Sequence, residues 1–148
     1  MDPKGRIVLP ARMKGRLPIA SEQRIFIVLG YKKYLTIYTS DEWDEKLQAF
    51  AAIPDYDEEG QQFIRDFTAG MAEEVLDSQG RFTLNKFLIS YAGLSSDVVL
   101  TAQGSRIEIW DAEEYRKNLT PVEKRPGLQS TAKDIFSRYG KSNPQNPA

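Results

Sequence analysis

A five-residue pattern, D-x-x-G-R, occurs twice in the chain, as Asp2-Pro3-Lys4-Gly5-Arg6 and as Asp77-Ser78-Gln79-Gly80-Arg81. Each copy runs straight into alternating apolar residues, the period of a half-buried strand. With Val75-Leu76 before it and Phe82-Thr83-Leu84 after it, the second copy reads as a β-hairpin whose tip carries an arginine. Gly5 and Gly80 fall where such a turn needs a positive φ, which glycine adopts without a Cβ clash. Taken once, the motif is an ordinary turn in which Asp and Arg pair across the bend. Taken twice, it constrains the whole chain, because the residues that follow repeat as well. Arg24 to Val28 matches Asp97 to Thr101, Tyr34 to Tyr38 matches Arg106 to Trp110, and Ser40 to Trp43 matches Asp111 to Tyr115. The motifs align at an offset of 75 residues and the later strands at 72, which one small deletion reconciles. A unit of roughly fifty residues struggles to bury a core by itself, so the two halves are expected to close one barrel together.

In chain order, Ile7-Val8-Leu9 reads as a strand ended by Pro10, which cannot donate to a ladder. A short basic helix or turn follows. Arg24 to Leu29 reads as a buried strand, Gly30 to Lys33 as a turn and Tyr34 to Tyr38 as the next strand. Thr39 and Glu42 have capping-box spacing, opening a helix with Trp43, Leu47 and Phe50 on one face. Pro54 ends it. Asp57 then caps a second helix, to about Gly70, with Phe63, Ile64, Phe67 and Met71 on its apolar side. In the second half, Lys86 to Tyr91 reads as a helix stopped at Gly93, and Gln103-Gly104-Ser105 as a turn. Past Thr120 prolines accumulate around one short helix near Ala132 to Tyr139, and residues 140–148 are expected to be disordered. The domain reading is therefore residues 1–70 for the first repeat with its linking helix, 71–119 for the second, and 120–148 for a C-terminal helix and tail.

The 148 residues contain no His and no Cys. Ser-His-Asp and Cys-His catalysis, disulfides and the usual zinc sites are thereby excluded. Carboxylate chemistry remains open at Asp55, Asp57, Glu58 and Glu59, but acids are also what the first turn of a helix favours, and Phe63 and Phe67 follow at helical spacing. No cofactor, metal or catalytic residue is expected. No apolar run is long enough for a membrane span, and the polar, basic N-terminus lacks the apolar centre of a signal peptide, so a cytoplasmic protein is expected. The net charge of −1 conceals an asymmetry. Residues 1–35 carry eight Lys or Arg against two acids, whereas residues 36–76 carry two against eleven. A basic segment in a nearly neutral chain points to a local anionic partner.

The duplicated D-x-x-G-R motifs, Tyr91-Ala92-Gly93-Leu94 followed by Val98-Val99-Leu100, and Arg106-Ile107-Glu108-Ile109-Trp110-Asp111 resemble the MraZ family of bacterial transcriptional regulators. Gly5-Arg6, Leu9-Pro10-Ala11, Tyr38 and Glu42-Trp43 carry the same resemblance in the first half, and it extends over about residues 1–119. It implies an α+β, mainly β fold, a duplicated AbrB-like swapped-hairpin (double-psi-like) β-barrel with flanking helices. It also implies a homo-oligomeric ring that binds double-stranded DNA at short direct repeats upstream of the division and cell-wall gene cluster, usually as a repressor, in the nucleoid. Members of the family usually carry a strand of about ten residues before the first motif, whereas here Met1 abuts Asp2; either the native protein starts further upstream, or the sequence has been cut, or the N-terminal barrel is incomplete, and in the last case Ile7-Val8-Leu9 is expected to have an unpaired edge.

The physical case for DNA stands beside the resemblance. A two-stranded ribbon fits the major groove, arginine bonds bidentately to guanine, and neighbouring lysines neutralise phosphates. The first tip has Lys4 and Arg6, with Arg12, Lys14 and Arg16 close behind; the second has Gln79 and Arg81, with only Lys86 nearby. DNA contact is therefore assigned to Lys4, Arg6, Arg12, Lys14, Arg16 and Arg81, mainly through the first copy, with Asp2, Gly5, Asp77 and Gly80 shaping the turns. The alternative is a protein-interaction module, antitoxin-like or substrate-recognising, docking through the acidic middle segment.

Overall fold

The computed structural model describes residues 1–15, 24–104 and 106–140 and divides into two compact units, Met1–Tyr115 and Arg116–Ala148. In the first unit, apolar runs set the centre of a five-stranded antiparallel sheet. Strand β2 is Arg24–Leu29, β3 Leu35–Tyr38, β6 Val98–Gln103 and β7 Arg106–Asp111. The chain reverses between β2 and β3 at Gly30, whose N–H donates to the Tyr34 carbonyl at 2.8 Å. Only glycine fits there, because a Cβ on Gly30 would lie 2.3 Å from the Tyr34 ring. The two halves meet in mid-sheet, with Leu35 opposite Ile109 and Ile37 opposite Ile107. With β4 (Ala72–Val75) added, the strand order is β4-β2-β3-β7-β6.

The remaining strands correct one expectation. Strand β1 (Arg6–Val8) and strand β5 (Arg81–Thr83) form a separate two-stranded antiparallel sheet, with Ile7 opposite Phe82. The strands on either side of Asp77-Arg81 are thus not partners in a simple hairpin: β4 joins β2, and β5 joins β1. The turn itself closes, with the Asp77 N–H donating to the Arg81 carbonyl at 3.1 Å. Beyond it Leu76 and Phe82 are both buried in the common core, and each strand finds its ladder in the other half of the chain. Ile7 and Val8 pair with β5 on one side, and in this two-stranded sheet the other edge of β1 has no strand neighbour among the described residues. The exchange is reciprocal, the Leu9 N–H donating to the Gly80 carbonyl at 2.8 Å and the Leu84 N–H to the Gly5 carbonyl at 2.9 Å.

One core draws on both halves, including Ile7, Leu9, Ile25, Ile27 and Leu35 from the first and Phe82, Leu84, Leu88, Ile107 and Ile109 from the second. Short helices α1 (Ala11–Lys14) and α4 (Lys86–Ala92) bury Met13, Leu88 and Ala92 in it. Helix α2 (Ser40–Ala51) has the expected capping box, with Thr39 Oγ1 accepting from the Glu42 N–H and the Glu42 carboxylate accepting from the Thr39 N–H. Helix α3 (Glu58–Thr68) is capped by Asp57, which accepts the Gly60 N–H at 2.9 Å. Trp43 and Phe67 join Val28 and Tyr38 in a second, smaller cluster. Leu47, Phe63 and Met71, expected on apolar faces, are exposed; Met71 lies past the end of α3. Helix α5 is Ala112–Asn118, its start capped by Asp111 Oδ2 through the N–H groups of Glu113 and Glu114.

The second unit contains a 3-10 turn, Val122–Lys124, and helix α6, Leu128–Arg138, which starts earlier than the sequence suggested. The tail expected to be disordered falls, past Gly140, outside the described residues. Among the described residues no helix is long and apolar enough to cross a membrane.

Candidate nucleic-acid interface

Both D-x-x-G-R turns are built by a carboxylate clamp. Asp2 Oδ1 accepts the N–H groups of Lys4 at 2.9 Å and Arg6 at 2.8 Å, and Oδ2 accepts Arg6 Nε at 2.6 Å. Asp77 repeats this with Gln79 at 2.9 Å, Arg81 at 2.8 Å and Arg81 Nε at 2.7 Å. Gly5 and Gly80 close the turns at φ of 78° and 77°. The donors stabilise the ionised carboxylate. The Arg81 N–H, and then its guanidinium, hold Asp77 down to about 2, and Asp2 is lowered in the same way, first by the Arg6 N–H. Each clamp fixes the root of an arginine. Among the described residues, no hydrogen bond engages the Nη groups of Arg6 or Arg81.

Pairing β1 with β5 brings the two copies onto one surface. Ile7 and Phe82 point into the core, so by the period of two Arg6, Val8, Arg81 and Thr83 face outward. The arginine side chains are 41% and 39% exposed, and Val8 is 57% exposed. Lys4 and Arg12 are exposed nearby. A methyl group on Gly80 would sit 3.4 Å from Cδ of Lys14, so the basic segment of the first copy lies against the turn of the second. Lys14 was expected to serve the first tip; distance along the chain hid this approach. The outward position of Val8 and Thr83 follows from strand alternation, whereas which strand each would face had no local signal. Arg16 lies outside the described residues. A groove of about 500 Å³ runs beside the ribbon, lined by Arg6, Arg12 and Arg81 together with Val8, Val98 and Leu100.

The acidic cluster is arranged differently. Asp57 is occupied as a helix cap, Glu58 and Glu59 lie in the first turn of α3, and among the described residues no group of three or more His, Cys, Asp or Glu could hold a metal ion.

These features define a duplicated, mixed α/β protein whose halves exchange strands around one core and share a ribbon bearing two clamped arginines. The family model described as "MraZ protein, putative antitoxin-like" matches the chain twice, over residues 1–66 and 67–135. A transcriptional regulator MraZ of Cytophaga hutchinsonii is 34% identical over 119 residues, 80% of this chain and 79% of that protein. Its namesake in Thioalkalivibrio sulfidiphilus is 35% identical over 118 residues, covering 80% and 79%, and that of Kocuria rhizophila is 30% identical over 136 residues, covering 92% and 91%. The chain belongs to the MraZ family, as its motifs suggested.

Proposed function

We propose that the chain is a sequence-specific DNA-binding transcriptional regulator, a repressor of the division and cell-wall gene cluster, and not an enzyme. The observation that carries this reading is the β1–β5 ribbon, which sets Arg6 and Arg81 on one outward face with Lys4 and Arg12 beside it. The names of the relatives support regulation of transcription. In this reading the fold is a duplicated AbrB-like swapped-hairpin barrel, with repeats at residues 1–70 and 71–119 and an appended segment 120–148. Arg6 and Arg81 read base edges. Lys4, Arg12, Lys14 and Arg16 neutralise phosphates, and Asp2, Gly5, Asp77 and Gly80 hold the turns. The partner is double-stranded DNA with short direct repeats upstream of the protein's own operon, bound in the nucleoid by a ring of subunits. A ring suits the small contact that one ribbon makes, since linked tips gain affinity through effective concentration.

The test is a fluorescence-anisotropy titration with upstream DNA and a scrambled duplex at two salt concentrations. Binding that is salt-dependent and prefers the upstream DNA is expected. Absence of both would move the second reading, an antitoxin-like protein-interaction module, to first place. That reading is favoured by the description of the family and by the acids of residues 36–76.

A further inference from the structure

Away from the ribbon, four aromatic side chains from both halves of the chain meet at the surface. Tyr31 comes from the turn between β2 and β3, Phe63 and Phe67 from α3, and Tyr91 from α4. Together with Asp66 they line a cleft of about 220 Å³. Aromatic residues at helical spacing ordinarily serve a core, and Phe67, 5% exposed, does so; Tyr31 is 64% exposed, Phe63 42% and Tyr91 37%. The walls are nevertheless fixed. Tyr91 Oη donates to the Gly30 carbonyl at 2.8 Å, and Phe67 stacks on Tyr31 and on Phe63 at centroid distances of 5.5 and 5.6 Å. A notch held in this way needs little ordering when it is filled.

Its chemistry selects a cation. The faces of aromatic rings are negative, and two of these rings already attract one: Lys46 Nζ lies 5.4 Å from the Tyr31 centroid and 5.9 Å from that of Phe67. Lys46 itself lines a neighbouring hollow with Tyr38 and Arg106, not this cleft. Lys32 and Lys33 follow Tyr31 in the turn without lining the cleft either. Among the lining residues Asp66 is the one charged group. Its Oδ1 accepts Gln62 Nε2 at 2.9 Å, and it has no ion pair among the described residues. The eleven acids and two bases of residues 36–76 add to the negative field around α3. The cleft is smaller than the roughly 300–1,000 Å³ of a small-molecule site, and its half-exposed walls do not enclose a free ligand, so it suits one long side chain on a segment passing over it. A guanidinium is planar, weakly hydrated and able to stack on a ring while bonding a carboxylate, whereas an ammonium holds its water. We propose that the cleft receives an arginine from a basic segment of another protein, stacked on the rings with its guanidinium toward Asp66. The proposal rests on the second reading above, in which the acidic segment meets a protein, and gives that partner its chemistry; it does not depend on whether the ribbon binds DNA.

Fluorescein-labelled peptides of glycine and serine, carrying three spaced arginines, lysines or citrullines, titrated with the whole chain and followed by anisotropy, provide the test. The arginine peptide should bind about tenfold more tightly than the lysine peptide, the margin of one partly desolvated cation–π contact, and the uncharged citrulline peptide should not bind. Phe63→Leu keeps most of the volume and removes the ring, and Asp66→Asn removes the charge; both should fold, which circular dichroism melts will verify. Phe63→Leu should erase the preference for arginine over lysine, and Asp66→Asn should weaken the arginine peptide by about fivefold, as for a partly exposed ion pair. Equal binding of the arginine and lysine peptides to the wild type, or arginine binding unaltered in either variant, would overturn the cleft and leave the acidic segment as a docking surface. No binding of either charged peptide would remove the second reading along with it. Dissociation of a wild-type oligomer by the two substitutions themselves, seen by light scattering without peptide, would assign the cleft to a contact between copies and sink the proposal.

Discussion

Asp77 and Asp2 each do with one side chain what a turn otherwise needs several groups to do. Their clamped carboxylates have folded pKa values below those of the unfolded chain, Asp77 at about 2 and Asp2 lowered. The stabilisation they give is therefore fully present above the unfolded value, near pH 4, and is lost as pH falls through the folded value. Asp77→Asn should lower the melting temperature at pH 7, and the difference from wild type should shrink steadily as melts are repeated down to pH 2. The glycines form a graded series. At Gly104 a Cβ meets nothing within 4 Å, so Gly104→Ala should cost only the strain of a positive φ, about 1–2 kcal/mol. Gly5→Ala should cost more in urea titrations, because its Cβ would also lie 3.0 Å from the Leu84 carbonyl oxygen. Both glycines of the turns were legible in the sequence, since D-x-x-G-R leaves few other conformations open. The position of Lys14 was not, because it depends on which strand β1 chooses as its partner.

At the scale of elements, periodicity located strands and helices well. Strand β2 runs from Arg24 to Leu29 as the apolar run does, and the box formed by Thr39 and Glu42 opens α2. Thr39→Ala removes an acceptor for the Glu42 N–H and should destabilise the protein by about 0.5–2 kcal/mol in denaturant melts. Faces were less legible than positions. Leu47 and Phe63 have helical spacing yet remain exposed, because the stripe buried by α2 and α3 is narrow and is filled by Trp43 and Phe67. Pairing was least legible. An alternating strand states which side is buried and says nothing about its neighbour, and the shortest connection, through Asp77-Arg81, suggested the wrong one. The duplication held the missing information: a unit too small to bury its own core must borrow strands from its copy.

For the whole molecule that borrowing has an electrostatic result, since it gathers charges 75 residues apart onto one ribbon within a chain of net charge −1. Affinity for DNA and preference among DNA sequences should then separate by residue. If Arg6 reads a base edge, Arg6→Ala should cost about 1–3 kcal/mol and relax discrimination at one position of each repeat. Arg81→Ala should act in the same direction and by less, because the exposed Lys4 and Arg12 belong to the first copy. Lys4→Ala, removing a phosphate contact, should instead weaken operator and scrambled DNA alike. Each phosphate neutralised contributes about −0.9 to the slope of log K against log salt, so loss of Lys4 from every engaged subunit should flatten the slope by several units. Slopes and preferences, measured on the same duplexes, assign the roles. If Arg6→Ala flattens the slope and leaves the preference for operator unchanged, Arg6 is a phosphate clamp. If neither variant changes either quantity, the β1–β5 ribbon does not touch DNA, and the acidic middle segment becomes the surface to test against a protein partner.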